Sequence, residues 1–190
     1  MNVLRSAALW AVFAFVCFGL GYPTLNRYDP RGVEGTDDSR DYYQVVAGAA
    51  QGPSNIHHYR VLVPATARPF YRAASGKVGS WDPVFFGLLC ANVLFCATTL
   101  LLLTALARTV CGEPRRALLC AFLYAAGFSV ANQQLAGLVD SGEALFLLLV
   151  AWLATTEALC AAPVVGILQR YASVWQRLAR LPVPASEVAP

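Results

Sequence analysis

The chain has 190 residues, 57% of them hydrophobic and only 13% charged, where a soluble domain carries about 25% charged residues. Its net charge is +3 and no basic tract is dense enough for a nucleic-acid footprint. The length suits four or five membrane spans and one real loop, and excludes a large soluble domain beside them. Residues 84–107 contain no charge at all, and about 20 apolar residues cover the ~30 Å of bilayer hydrocarbon as a helix. A helix pairs its own backbone amides in lipid. The expected fold is therefore all-α: a polytopic membrane protein with about four transmembrane helices and two short surface helices in the first external loop.

In chain order, residues 1–22 form the first span, running from about Val3 to Tyr22. Arg5 before an apolar stretch also fits a signal peptide, but the run reaches Tyr22 and further spans follow, so it is read as uncleaved. Residues 23–81 form an external loop. Thr36, Asp37 and Ser39 are N-cap types, and Tyr42, Val45, Val46 and Ala49 recur at helical spacing, predicting an amphipathic surface helix over 38–50 that ends at Gly52-Pro53. Pro64 predicts a second short helix over 65–74, and Trp81 an interfacial anchor. Residues 82–158 hold three further spans: about 83–107, then 117–132 with a polar end at Asn132, Gln133 and Gln134, then 142–154. Residues 159–190 form a tail. Its stretch 169–181 sets Tyr171, Trp175 and Leu178 beside three arginines, as in a helix lying on an anionic leaflet, and its last ten residues, with three prolines, are expected to be disordered.

Orientation follows the positive-inside bias. Arg5, the group Arg108, Arg115 and Arg116, and the group Arg170, Arg177 and Arg180 mark one side, whereas Asp140 and Glu143 lie in a connection with no base. Both termini are thus expected in the cytoplasm. The external loop and the Asp140 connection then share the opposite face, where two acidic clusters distant in sequence can converge.

Three clusters carry candidate chemistry. In the first, Gly35 to Tyr43, Asp37, Asp38 and Asp41 can supply a general base or a metal ligand near the headgroups, or simply cap and solvate a helix start. In the second, His57 to Pro64, Arg60 can pair with a phosphate, or snorkel at the interface. His57 and His58 are adjacent and diverge on a helix, and the six cysteines show no CxxC spacing. No metal site is expected, and nothing in the sequence names a cofactor. In the third, Gln133 to Glu143, Asp140 either caps the fourth span or lines the external site. Glu157 is read as the inner end of that span.

The order of a span, the acidic loop "GTDDSRDYYQVVAGA", the segment "HYRVLVP", further spans and "GLVDSGEALFLLL" resembles the N-terminal part of polytopic membrane glycosyltransferases of the GT-C class, related to bacterial mannosyl- and arabinosyltransferases. The resemblance covers roughly residues 1–155. It implies transfer of a sugar from a polyprenyl-phosphate donor on the external face of a bacterial inner (plasma) membrane. It also implies a catalytic aspartate at Asp38 or Asp37, acting as base on the acceptor hydroxyl. Asp41 is a third candidate, and Asp41, Tyr42, Arg60 and Asp140 fall where substrate would bind. Members of the class have about 8 to 14 spans, so a chain with about four reads as a truncated member or one half of a split protein with a polytopic membrane partner. The alternative is a non-catalytic small integral membrane protein or a subunit of a larger complex.

Overall fold

The computed structural model describes residues 3–27, 37–48 and 62–155. The segment with His57, His58 and Arg60, together with Glu157 and the tail, lies outside the described residues. By its contacts the chain divides into two units, Met1–Leu149 and Val150–Pro190. Of the second, only the end of one helix is described.

Among the described residues every regular element is a helix. They are α1 (Val3–Gly21), α2 (Thr24–Arg27), α3 (Asp37–Ala47), α4 (Leu62–Ala74), α5 (Pro83–Cys111), α6 (Pro114–Ala125), a π-helical turn (Val130–Gln134) and α7 (Asp140–Thr155). Of these, α1 and α5 are long and apolar enough to cross a membrane. α6 and α7, at 12 and 16 residues, are each shorter than the about 20 residues of a straight span.

α5 is the axis of the first unit. Its 29 residues make a rod about 43 Å long, and α1, α4 and α6 all pack along it. Both ends are set by local chemistry. Asp82 caps the start, its Oδ1 accepting from the backbone N–H of Val84 at 2.8 Å and of Phe85 at 3.0 Å, and Pro83 occupies the first turn, where a missing N–H costs nothing. At the other end Gly112 takes a left-handed conformation (φ 70°) and donates to Arg108 O, the usual glycine stop.

α4 and α5 form a hairpin. A Cβ on Gly87 would lie 2.9 Å from both Ala67 O and Tyr71 N, so backbone meets backbone there. The sequence places α4 along the membrane surface. Its buried side, Val63, Ala67 and Ala74, docks on α5, while Arg68, Pro69 and Arg72 stay exposed. Its helix also begins earlier than expected, at Leu62. α3 ends at Ala47, short of Gly52-Pro53, because Gly48 already adopts φ 80° and closes the turn onto Val45 O.

The stretch after α5 differs most from expectation. In place of one span over 117–132, α6 stops at Ala125, the chain turns at Ala126 and Gly127, and helical structure resumes with the π turn. In that turn Leu135 N donates to Val130 O, five residues back. Val130 and Gln134 point inward, whereas Ser129, Asn132 and Gln133 are exposed. The inward side joins an apolar cluster with Phe13, Cys17, Leu89, Cys96 and Leu135. Much apolar surface remains outside, including Val3, Leu4 and Phe15 on α1, Leu119 and Leu123 on α6, and Leu147 on α7.

The hairpin makes a direct test. Gly87→Ala forces α4 away from α5 and should lower stability by about 1–3 kcal/mol. Gly19→Ala, with nothing within 4 Å of its Cβ, should be neutral or stabilising by up to ~1 kcal/mol. Unfolding of both variants in mixed micelles by denaturant, followed by circular dichroism, checks this; equal behaviour would mean that the close approach at Gly87 is unimportant.

Candidate functional site

α3, α4, the first turns of α5 and the connection into α7 come together in a second apolar cluster. Tyr42 and Val46 from α3, Val63 and Ala67 from α4, Leu88 from α5 and Val139 from the connection belong to it. The amphipathic spacing of α3 explains its share: Tyr42 and Val46 lie four residues apart on one face, both nearly inaccessible. Tyr42, a candidate substrate contact from sequence, is thus a packing residue.

Polar contacts fix the same elements. Tyr43 Oη donates to Asp82 Oδ2 at 2.9 Å, and its ring lies against that of Phe85 with centroids 5.2 Å apart. One carboxylate therefore caps α5 and anchors α3. Burial, and then the hydrogen bond to Asp82, push the Tyr43 phenol up to about 12. Arg68 Nη2 of α4 donates to Val45 O of α3 at 3.0 Å. The connection is held from α5, where Asn92 Nδ2 donates to Leu138 O at 3.0 Å and Ser141 Oγ donates to Asn92 Oδ1. Asn92 and Ser141 are fully buried, so each depends on the other for satisfaction. Gly142 lets the start of α7 close on Val63, whose Cγ2 would be 3.1 Å from an added Cβ.

α3, through Tyr42 and Val46, and the connection into α7, through Val139, share this cluster. Asp37 and Asp38 are the first two residues of α3; their side chains lie outside the described set. A helix N-terminus carries partial positive charge and favours carboxylates there. Asp41 and Asp140 are half-buried, and Arg40, Asp41, Asp140 and Glu143 are each engaged in a polar or electrostatic interaction. Asp140 is the first residue of α7, one position inside the helix rather than at its cap. Arg60 lies outside the described residues. Among the described residues no group of three or more His, Cys, Asp or Glu is placed to hold a metal ion.

Sequence reasoning missed two residues that position the site. Asp82 was legible, since Asp-Pro ahead of an apolar run is a helix-start signal. Asn92 was marked only by being an amide within a charge-free run, and its partner Ser141 lies 49 positions away. Comparison with protein-family models, curated proteins and solved structures finds no match to this chain.

Two measurements test this construction. A folded-state pKa raised above the ordinary 10.0 means that Tyr43 contributes stability that is full below pH 10 and fades as pH rises toward about 12. Tyr43→Phe should therefore be less stable than wild type at pH 8, with the gap narrowing above pH 10 in unfolding titrations; a gap independent of pH would show that the phenol proton does not matter. Asn92→Ala strands Ser141 Oγ and Leu138 O and should cost about 1–3 kcal/mol, read as a lower unfolding midpoint in micelles.

Proposed function

We propose that the chain is a membrane-embedded glycosyltransferase of the GT-C kind, or a piece of one, moving a sugar from a polyprenyl-phosphate donor to an acceptor hydroxyl. The observation that supports this reading is that α3, through Tyr42 and Val46, and the connection before Asp140, through Val139, share one cluster with the first turns of α5. The membrane placement is supported by two helices of spanning length and by the large apolar side chains left exposed on α1, α6 and α7. In this reading α6 with its π turn, and α7, complete four spans, and both termini face the cytoplasm of a bacterial inner membrane.

The chemistry asks little of the protein beyond position and a base. Asp38 takes the proton of the acceptor hydroxyl while its oxygen bonds to the anomeric carbon. The bond from that carbon to the donor phosphate oxygen breaks on the opposite face, so the configuration inverts. The electron pair leaves with the polyprenyl phosphate, whose charge a cation such as Arg60 would stabilise. Asp37 and Asp41 are the neighbouring candidates for the base. Asp82 and Tyr43 act at a distance from the chemistry, by fixing α3 on the bundle.

A second reading, a non-catalytic subunit of a larger polytopic complex, draws on the exposed polar turn Ser129–Gln133. The experiment that separates the two is transfer from radiolabelled polyprenyl-phosphate sugars by the full chain in vesicles. Asp38→Asn should cut turnover by about a hundred-fold or more while membrane insertion is unchanged. An inserted wild-type chain with no turnover would favour the subunit; full turnover in Asp38→Asn would move the base to Asp37 or Asp41.

A further inference from the structure

Two of the cysteines among the described residues are buried, Cys17 of α1 and Cys96 of α5, and they lie side by side. Two contacts bracket them. Trp10 Nε1 donates to Thr98 Oγ1 at 3.1 Å, and a Cβ added to Gly21 would meet Leu89 Cδ1. α1 and α5 are therefore antiparallel, and Cys17 falls opposite the turns of α5 that carry Cys96. Both thiols are free, and they are hydrogen-bonded to each other. Cys96 Sγ also donates to Gln134 Oε1 at 3.5 Å. Its one proton is thus committed, and the Cys17 thiol is the donor between the two sulfurs.

A single buried cysteine serves as a small hydrophobe, and either residue alone would need no other account. Two thiols in contact across a helix pair have a chemistry that neither has alone. They are 0% and 1% exposed, among Phe13, Leu89, Leu100 and Leu135 of the same cluster. That wall bars glutathione and oxidoreductase proteins, which must reach a sulfur in order to exchange with it. A small uncharged peroxide is the class of oxidant that can enter. Cys90, Cys111 and Cys120 are all more accessible.

We propose that Cys17 and Cys96 form a peroxide-sensitive dithiol that staples α1 to α5 when oxidised. In the first step the Cys17 sulfur bonds to one oxygen of hydrogen peroxide and the O–O bond breaks. The Cys17 proton leaves with the second oxygen as water, and Cys17 becomes a sulfenic acid. The Cys96 sulfur then bonds to the Cys17 sulfur and the S–O bond breaks. The departing hydroxyl takes the Cys96 proton and leaves as a second water. Two thiols lose two electrons, and one peroxide gains them. The neighbouring thiol ends the reaction at the disulfide, where an isolated sulfenic acid goes on to sulfinic acid. The inference is independent of any transferase activity.

The test treats the full chain in phosphatidylcholine vesicles with hydrogen peroxide or with glutathione disulfide, then unfolds it in acid and maps it by mass spectrometry. Peroxide should yield one pair of peptides joined through Cys17 and Cys96, lighter by two hydrogens and separated by dithiothreitol. Glutathione disulfide should leave both thiols free while it modifies the exposed Cys111. The oxidised chain should unfold at a higher denaturant midpoint than the same chain after dithiothreitol, because the bond closes a long loop. A variant with Cys90, Cys111, Cys120 and Cys160 changed to serine should show the same shift, which assigns it to the pair. Cys17→Ala should give neither the linked peptides nor the shift. The mapping is done on wild type, so it stays readable if a variant fails to fold. Both thiols still free under peroxide that oxidises Cys111 overturns the proposal. So do sulfinic acids in place of the linked pair, linkage of either cysteine elsewhere, or a linked chain no more stable than the reduced one.

Discussion

A polar group taken into an apolar helix bundle must find its partner inside the bundle, and in this chain α5 supplies most of them. Its own threonines return to the helix: Thr98, Thr99 and Thr104 each donate to the carbonyl four residues back, at 2.8 to 2.9 Å. Its other polar groups reach across. Thr98 accepts from Trp10 Nε1 of α1 at 3.1 Å, Cys96 meets Gln134, and Asn92 holds both Leu138 and Ser141. Among the described residues no buried side-chain nitrogen or oxygen lacks a partner. Apolar packing along α5 is non-directional, whereas these bonds fix which turn of each helix faces which turn of α5. The register of the first unit follows from them.

That division explains what the sequence discloses. Charge-free length is visible in a single chain, so α1 and α5 are legible almost to their ends. The acidic opening of α3 and the spacing of Tyr42 and Val46 are legible for the same reason, being local patterns. The end of α3 was read too late because Gly52-Pro53 is the stronger punctuation, although Gly48 had already turned the chain. The break in the helix expected over 117–132 is a different kind of difference. Hydropathy averages across Ala126 and Gly127 and sees one segment, whereas the break reflects Gln134, Tyr124 and Cys96 meeting inside the bundle. Gln134 Nε2 donates to Tyr124 Oη at 2.9 Å across the interruption. A π turn rotates the side chains that follow it relative to an α-helix, and here Gln134 ends up facing inward.

The candidate site shows the same contrast between pattern and pairing. Its acids were legible because carboxylates cluster in a polar loop. The first external helix, which carries three of them, was expected along the membrane surface, with no tertiary contacts specified. The structure instead clamps α3 through Tyr43 to Asp82 and through Val45 to Arg68 of α4, and clamps α4 to α5 at Gly87. None of these pairings has a local signature apart from the Asp82-Pro83 helix start, because each joins residues at least 16 positions apart. Tyr42 illustrates the consequence: an aromatic beside an acid invites a binding role, and its ring lies buried in the cluster.

Rigidity of this kind bears on function whichever reading of the chain holds. A general base is effective only when held within hydrogen-bonding reach of its proton, and a helix fastened once to the cap of α5 and once to α4 provides a fixed platform for the residues at its start. Two of the fastening groups, Tyr43 and Arg68, can be altered without removing a carboxylate. The polar turn at Ser129–Gln133 belongs to the opposite logic. There Gln134 is bonded inside the bundle, to Tyr124 and Cys96, while Ser129, Asn132 and Gln133 bond to near neighbours in the chain. Both arise from one rule, that amide and hydroxyl groups deep among apolar helices are placed where something answers them.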